Sequence, residues 1–300
     1  MNTICGSGWD DTAKVQQAVN DIRTKGGKLH LVGDVAISSL NATQLTRGIV
    51  IEGEGPFGTR IIPIADSNSV IDYSGSFGVT IRDLQIGVVG QSVRPATALL
   101  GLQTKNLVGN IIRFDNVFVT GHYTVATWYS FGMASSRYSG LHLWNYQTGG
   151  YAAYLGSDNY NNMNSPYLPA NPDGYSVATG GNHPNSDIDL FGCEFHGQAP
   201  SGAADIKPVH IRGGIAIRFW GGNMSGSGNE LVTLDGDMDG RLCKKLSFIG
   251  TQFYSENGTL PKYIFRANAG VSALLVDSCD AYHQTALVEG ENMVDPLIVR

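Results

Sequence analysis

Apolar and polar residues alternate with a period of two through most of this chain, and the alternation restarts at a regular interval. Asp187 to Gly197, DIDLFGCEFHG, shows the unit. An apolar–polar–apolar triplet begins at Ile188, a small or polar residue follows at the fifth position, and alternation resumes with an apolar residue at the eighth. Ile112–Gly121 (IRFDNVFVTG), Ile217–Gly226 (IRFWGGNMSG), Leu246–Ser255 (LSFIGTQFYS) and Leu274–His283 (LLVDSCDAYH) share this grammar, and Ser136–Asn145 (SRYSGLHLWN) is a looser copy. From Ile188 the next starts lie 29, 29 and 28 residues on, and Ile112 to Ser136 is 24. Period-two strands around a tight bend, repeated at this interval, predict a solenoid.

Only one stretch breaks the strand pattern with helical spacing. Val15, Ala18, Val19 and Ile22 fall on one helix face, with Asp11 or Thr12 as N-cap and Gly26-Gly27 as terminator. An open solenoid end exposes unpaired backbone, so this helix is expected to cap it. Residues 1–9 read as a polar lead, and Leu29–Val32 and Val35–Ile37 as short strands. Residues 1–66 are expected to form the cap and first coil, and 67–300 the body. Around 146–185, Tyr, Asn, Pro and Gly crowd together, which predicts one projecting loop.

Composition narrows the function. Gly is abundant (39 residues) and charged residues are few (15%), as short strands and turns require. A net charge of −6 argues against a nucleic-acid partner. No run is apolar enough to span a bilayer, and the N-terminus lacks a charged-then-apolar leader. The four cysteines lack CxxC spacing, which disfavours zinc; Cys193 and Cys279 share the sixth repeat position and read as buried thiols. Asp235, Asp237 and Asp239 match the first half of a calcium loop, but its closing acid is replaced by Leu246, so a charged turn is the simpler reading.

The N-terminal segments Gly8-Trp9-Asp10-Asp11-Thr12, Gln16-Gln17-Ala18, Gly26-Gly27-Lys28-Leu29 and Gly53-Glu54-Gly55 resemble the opening of the pectate-lyase-like superfamily, which includes bacteriophage tailspikes. One departure is Gly6-Ser7-Gly8-Trp9, where a Gly-Asp-Gly run is usual. The resemblance implies an all-β, right-handed parallel β-helix with a short capping helix. It also implies a virion-borne homotrimer, attached to other phage tail proteins, that binds and depolymerises a bacterial surface polysaccharide. Alternatives of the same fold are a receptor-binding or structural module without catalysis, and a polysaccharide lyase or epimerase. No cofactor is expected, calcium excepted if the chemistry is that of a lyase.

In a parallel stack, equivalent positions of successive coils lie about 4.8 Å apart, so aligned repeats predict neighbours. The first and third positions face inward. The second position (Arg113, Arg137, Asp189, Arg218), the seventh (His142, Glu194, Asn223) and the ninth (Trp144, His196, Ser225) face outward. Glycoside hydrolysis needs one protonated and one ionised carboxyl. Asp189 between two arginines should stay ionised and serve as base or nucleophile, and Glu194 is the expected acid. Arg113, Arg137 and Arg218 are candidates for binding acidic sugars, with His142 and His196 beside them. Trp128, Tyr129 and Trp144 are candidates for stacking on sugar rings. For elimination, Arg218 with His142 or His196 would provide the base. An Arg–Asp–Arg ladder also arises simply as surface neutralisation.

Overall fold

The computed structural model describes residues 2–103, 109–156, 185–197, 208–236, 243–255, 262–268, 270–282, 286–289 and 298–300. Among them the chain winds as a right-handed parallel β-helix with two parallel sheets, one of seventeen strands and one of nine. The nine rungs of the smaller sheet mark nine coils.

Repeats stack rung over rung. Ile188, Asp189 and Leu190 lie in register with Ile217, Arg218 and Phe219. Arg218 and Phe219 continue onto Ser247 and Phe248, and Leu246 onto Leu274. Arg113 lies beside Arg137, and Arg137 beside Asp189, although the latter two are 52 residues apart. The first and third positions are buried, and the Phe219 and Phe248 rings stack at 4.6 Å with planes 5° apart. Each such ring contributes about 1.5–3 kcal/mol by leaving water.

The fifth position is the bend. Asp83, Asn116, Gly140, Gly192, Gly221, Gly250 and Ser278 all have φ between 52° and 66°, the left-handed region. Gly, Asn and Asp reach it at least cost, which explains why the repeat is small or polar there. A second left-handed column precedes the first position: Ile111, Ser135, Asp187, Ala216, Lys245 and Ala273, φ 47–57°. Its side chains follow no pattern, so residue type does not mark it.

The helix Thr12–Ile22 buries Val15, Ala18, Val19 and Ile22 as expected. It packs on strands Asn2–Cys5, Gly27–Ile37 and Leu40–Asn41. The side chain of Asp11 does not cap it. Asp10 does, accepting the Thr12 N–H at 2.9 Å. Asp11 instead accepts the Ser7 hydroxyl (2.7 Å) and the Ala36 N–H (3.3 Å), tying the lead to the first coil. The lead itself contains a strand, Asn2–Cys5, paired with Leu29–Val32. The two short strands expected after the helix are one, Gly27–Ile37, bent at Gly33.

Within the stretch expected to loop out, Tyr151–Gly156 is a buried strand between Ala126–Phe131 and Val209–Arg212. Residues 157–184 lie outside the described residues. All four cysteines are free thiols, and Cys193 is buried.

Candidate functional site

The outward columns of the larger sheet meet on two adjoining strips separated by the left-handed bend. On the first strip, Arg218 donates to both Asp189 oxygens, Nε–Oδ1 2.6 Å and Nη2–Oδ2 3.2 Å, and the Trp220 indole N–H donates to Oδ1 at 3.1 Å. The Arg218 hydrogen bond above all, against the cost of burial, holds the Asp189 carboxyl below the ordinary range. The expectation that Asp189 is ionised therefore agrees with the geometry. Arg218, however, is already engaged by Asp189 and is a clamp more than a ligand-binding group. Trp220 stacks on Phe191 (6.2 Å, 7°), and the Arg137 guanidinium sits 4.4 Å from the centre of the Phe191 ring. Arg113 stands directly beside Arg137 and has no carboxylate partner among the described residues.

On the second strip, His142 Nδ1 lies 2.9 Å from Glu194 Oε2, and the same oxygen is 3.4 Å from His196 Nε2. The Ser225 hydroxyl lies 2.5 Å from His196 Nδ1, and the Tyr254 hydroxyl is 3.4 Å from that nitrogen. Register creates this line: His142 pairs with Glu194, and His196 with Ser225, which pairs with Tyr254. Trp144 packs edge-on against His196 at 4.9 Å and against Phe118 at 5.5 Å. The Trp144 indole nitrogen and Asn223 Oδ1 are buried with no hydrogen-bond partner among the described residues.

Four expectations fail here: the ninth repeat position does not face outward, since His196 is 5% exposed and Ser225 is fully buried. Glu194 is not a protonated acid: burial alone would raise its pKa, but His142 and His196 outweigh it and hold the carboxyl below the ordinary range. Trp128 is fully buried, donating its indole N–H to Tyr73 at 2.8 Å among Phe114 and Tyr138, so it offers no face to a sugar. Tyr129 is only 2% exposed and lies on the smaller sheet, stacked on Tyr154 at 5.0 Å. Sequence reasoning also passed over Phe191 and Trp220. Both occupy the fourth repeat position, which faces outward like the second; consecutive aromatics there were the available signal.

Of the calcium pattern, only Asp235 lies among the described residues. Asp235 accepts from His210 Nε2 at 2.6 Å and from the Asn268 amide, donors where a cation would need acceptors. Asp237 and Asp239 lie outside the described residues. No group of three or more His, Cys, Asp or Glu among the described residues could hold a metal.

No protein-family model matches the chain, and no curated protein matches it. Solved structures do. The ORF18 protein of Geobacillus virus E2 is similar at 12% identity and a TM-score of 0.56, over 99% of this chain. The chain spans 62% of that protein's length. An alginate lyase from Paenibacillus sp. FPU-7 is similar at 15% identity and a TM-score of 0.57, over 98% of this chain and 99% of the lyase. This likeness shows the fold alone, a right-handed parallel β-helix.

Proposed function

We propose that the protein binds an anionic bacterial surface polysaccharide along these two strips and cleaves it, as part of a phage tailspike. The observation that carries this reading is His142. Its Nδ1 is tied to Glu194, its side chain is 36% exposed, and its ring lies 6.2 Å from Phe118; Arg113 and Arg137 lie in register on the adjoining strip, across the bend. Like charges placed directly opposite each other on neighbouring strands repel, so a carboxylate or sulfate bridging Arg113 and Arg137 relieves them.

With Nδ1–H donated to Glu194, the Nε2 lone pair of His142 is the base. Glu194 orients the ring, and the buried His196, held by Ser225, fixes Glu194. Such a set takes a proton from carbon more naturally than it performs two-carboxylate hydrolysis, since both Asp189 and Glu194 are ionised. In elimination, His142 removes the proton beside the uronate carboxylate, the C4–O bond breaks, a C4=C5 double bond forms, and the leaving oxygen takes a proton. Arginine-bound carboxylate favours that step by stabilising the charge that develops. The fold is shared with a protein named alginate lyase and with a virus protein, which supports the polysaccharide and phage parts of the reading. Homotrimeric assembly on the tail belongs to the same proposal.

The test is a panel of acidic capsular and lipopolysaccharide glycans, assayed for new reducing ends and for ultraviolet absorbance of an unsaturated product. Elimination gives both, and His142→Ala abolishes both. Reducing ends without absorbance establish hydrolysis. Retention of glycan on a column with neither signal makes the protein a receptor-binding module.

A further inference from the structure

The smaller sheet carries a cleft that the strips do not use. Near the N-terminal end, a cleft of about 460 Å³ is lined by Ser39, Asn41, Asp66, Asn68, Asp72 and Leu100 among others. That is the size of a small-molecule site. Its floor is an outward column: Asn41 lies in register with Asp72, and Asp72 with Leu100.

The walls are rigidly held. Asp66 Oδ1 accepts the Arg94 N–H at 2.6 Å, and the Ser67 hydroxyl donates to the Ser69 carbonyl at 2.9 Å. The Thr97 N–H and hydroxyl both donate to the Asn68 carbonyl, each at 3.1 Å. On the other side, Gln16 grips the Asn41 backbone at both its N–H (2.8 Å) and its carbonyl (3.0 Å). Asn41 Oδ1 accepts from Thr43 and, at 3.5 Å, from Arg23, while Asn41 Nδ2, the Ser39 hydroxyl and the Asn68 amide face solvent with no hydrogen-bond partner among the described residues. A fixed cleft with solvent-facing donors and acceptors is preorganised for a polar ligand.

Charge separates this cleft from the strips. Two carboxyl groups line it, and the cation at its rim, Arg23, is committed to the Asn41 and Thr43 carbonyls. A polyanion is repelled there. Burial pushes the Asp72 carboxyl above its ordinary range, against the hydrogen bonds from Ser74 that lower it, so Asp72 gains a donor O–H as pH falls. Hydroxyl, amide and carboxyl groups converging on one cleft match the hydroxyls of an uncharged sugar.

We propose that this cleft is a second glycan subsite, selective for uncharged sugar units and independent of the cationic strips. The choice of ligand class rests on the polysaccharide reading; the cleft itself does not depend on His142 or the arginines.

Saturation-transfer NMR on the full chain tests it, with neutral gluco-, manno- and galacto-tetrasaccharides and a polyuronate as probes. The variants are Asn68→Ala, Asp66→Asn and Arg137→Ala. Asn68→Ala removes a side chain without a partner, so its melting temperature should match the wild type. Neutral saccharide binding should weaken about tenfold in Asn68→Ala, the loss of one or two hydrogen bonds, and persist in Arg137→Ala. Polyuronate binding should show the reverse. The proposal is overturned if no neutral saccharide binds the wild type, or if binding survives Asn68→Ala and Asp66→Asn undiminished. It is also overturned if calcium chloride alone perturbs the cleft and no sugar does. Failure of polyuronate cleavage with neutral binding intact removes the strip reading and leaves this one standing.

Discussion

Replacing Asp189 by Asn tests whether that carboxylate reacts or merely restrains. Asn keeps the shape and one acceptor oxygen but removes the charge facing Arg218 Nε at 2.6 Å and Nη2 at 3.2 Å. The two side chains are 30% and 32% exposed, and the pair is bidentate. Exposed pairs contribute 0–1 kcal/mol, so this half-buried, two-bond pair is placed at the upper end, about 1 kcal/mol. Urea denaturation should show the variant less stable by about that amount with an unchanged slope. The same substitution frees Arg218 for an anion. If the released interaction is transferred to a ligand carboxylate, affinity for an acidic polysaccharide rises about fivefold, the equivalent of 1 kcal/mol. The gain should fade in concentrated salt, where the screening length shrinks to about 3 Å at 1 M. Affinity electrophoresis at low and high salt reads it directly. A variant that binds as the wild type does but no longer cleaves would refute the reasoning, because it would make Asp189 a reacting group and not a clamp.

Other expectations follow from particular contacts. His142→Ala should lower kcat/KM by about a hundredfold or more, the usual loss of a general base, and Glu194→Gln by less; equal rates in all three proteins would remove both residues from the mechanism. Gly221→Ala should cost about 1–2 kcal/mol, because φ is +66° but the added Cβ meets nothing within 4 Å. Gly222→Ala should cost more in the same urea titration, since its Cβ would lie 2.0 Å from the Cys193 carbonyl oxygen; equal costs would show that the backbone there yields. Trp128→Ala should destabilise by about 3–5 kcal/mol through a core cavity, seen as a lowered denaturation midpoint. For Glu52, burial alone would raise the pKa, but Lys28 and Arg82 outweigh it and hold it at about 2, against 4.5 ordinarily. A depressed folded pKa gives stability that is complete above about pH 4.5 and lost as pH falls toward about 2. Denaturation midpoints of the wild type should fall more across that window than those of Glu52→Gln.

Much of the architecture was written in residue spacing. Alternation says which side chains of a strand face inward, and the small residue at the fifth position marks a left-handed bend that Gly140, Gly192, Gly221 and Asn116 occupy at low cost. Together these determined the coil, its repeat length and the pairing of Asp189 with Arg218. What the sequence alone could not determine is whether an outward position stays open. In Ala126–Phe131 every residue is buried on both faces, so Trp128 and Tyr129 carry no alternation to read, and their aromatic character suggested a surface they do not form. The carboxyl's titration was likewise decided by partners remote in sequence: against the burial that would raise it, Glu194 is held below the ordinary carboxylate range because His142, 52 residues earlier, lies on the rung beside it, with His196. The cleft at Asn41, Asp66 and Asp72 depends on three separate segments meeting on one sheet face. Local pattern fixes direction within a strand; electrostatics and access depend on neighbours that only the winding of the chain brings together.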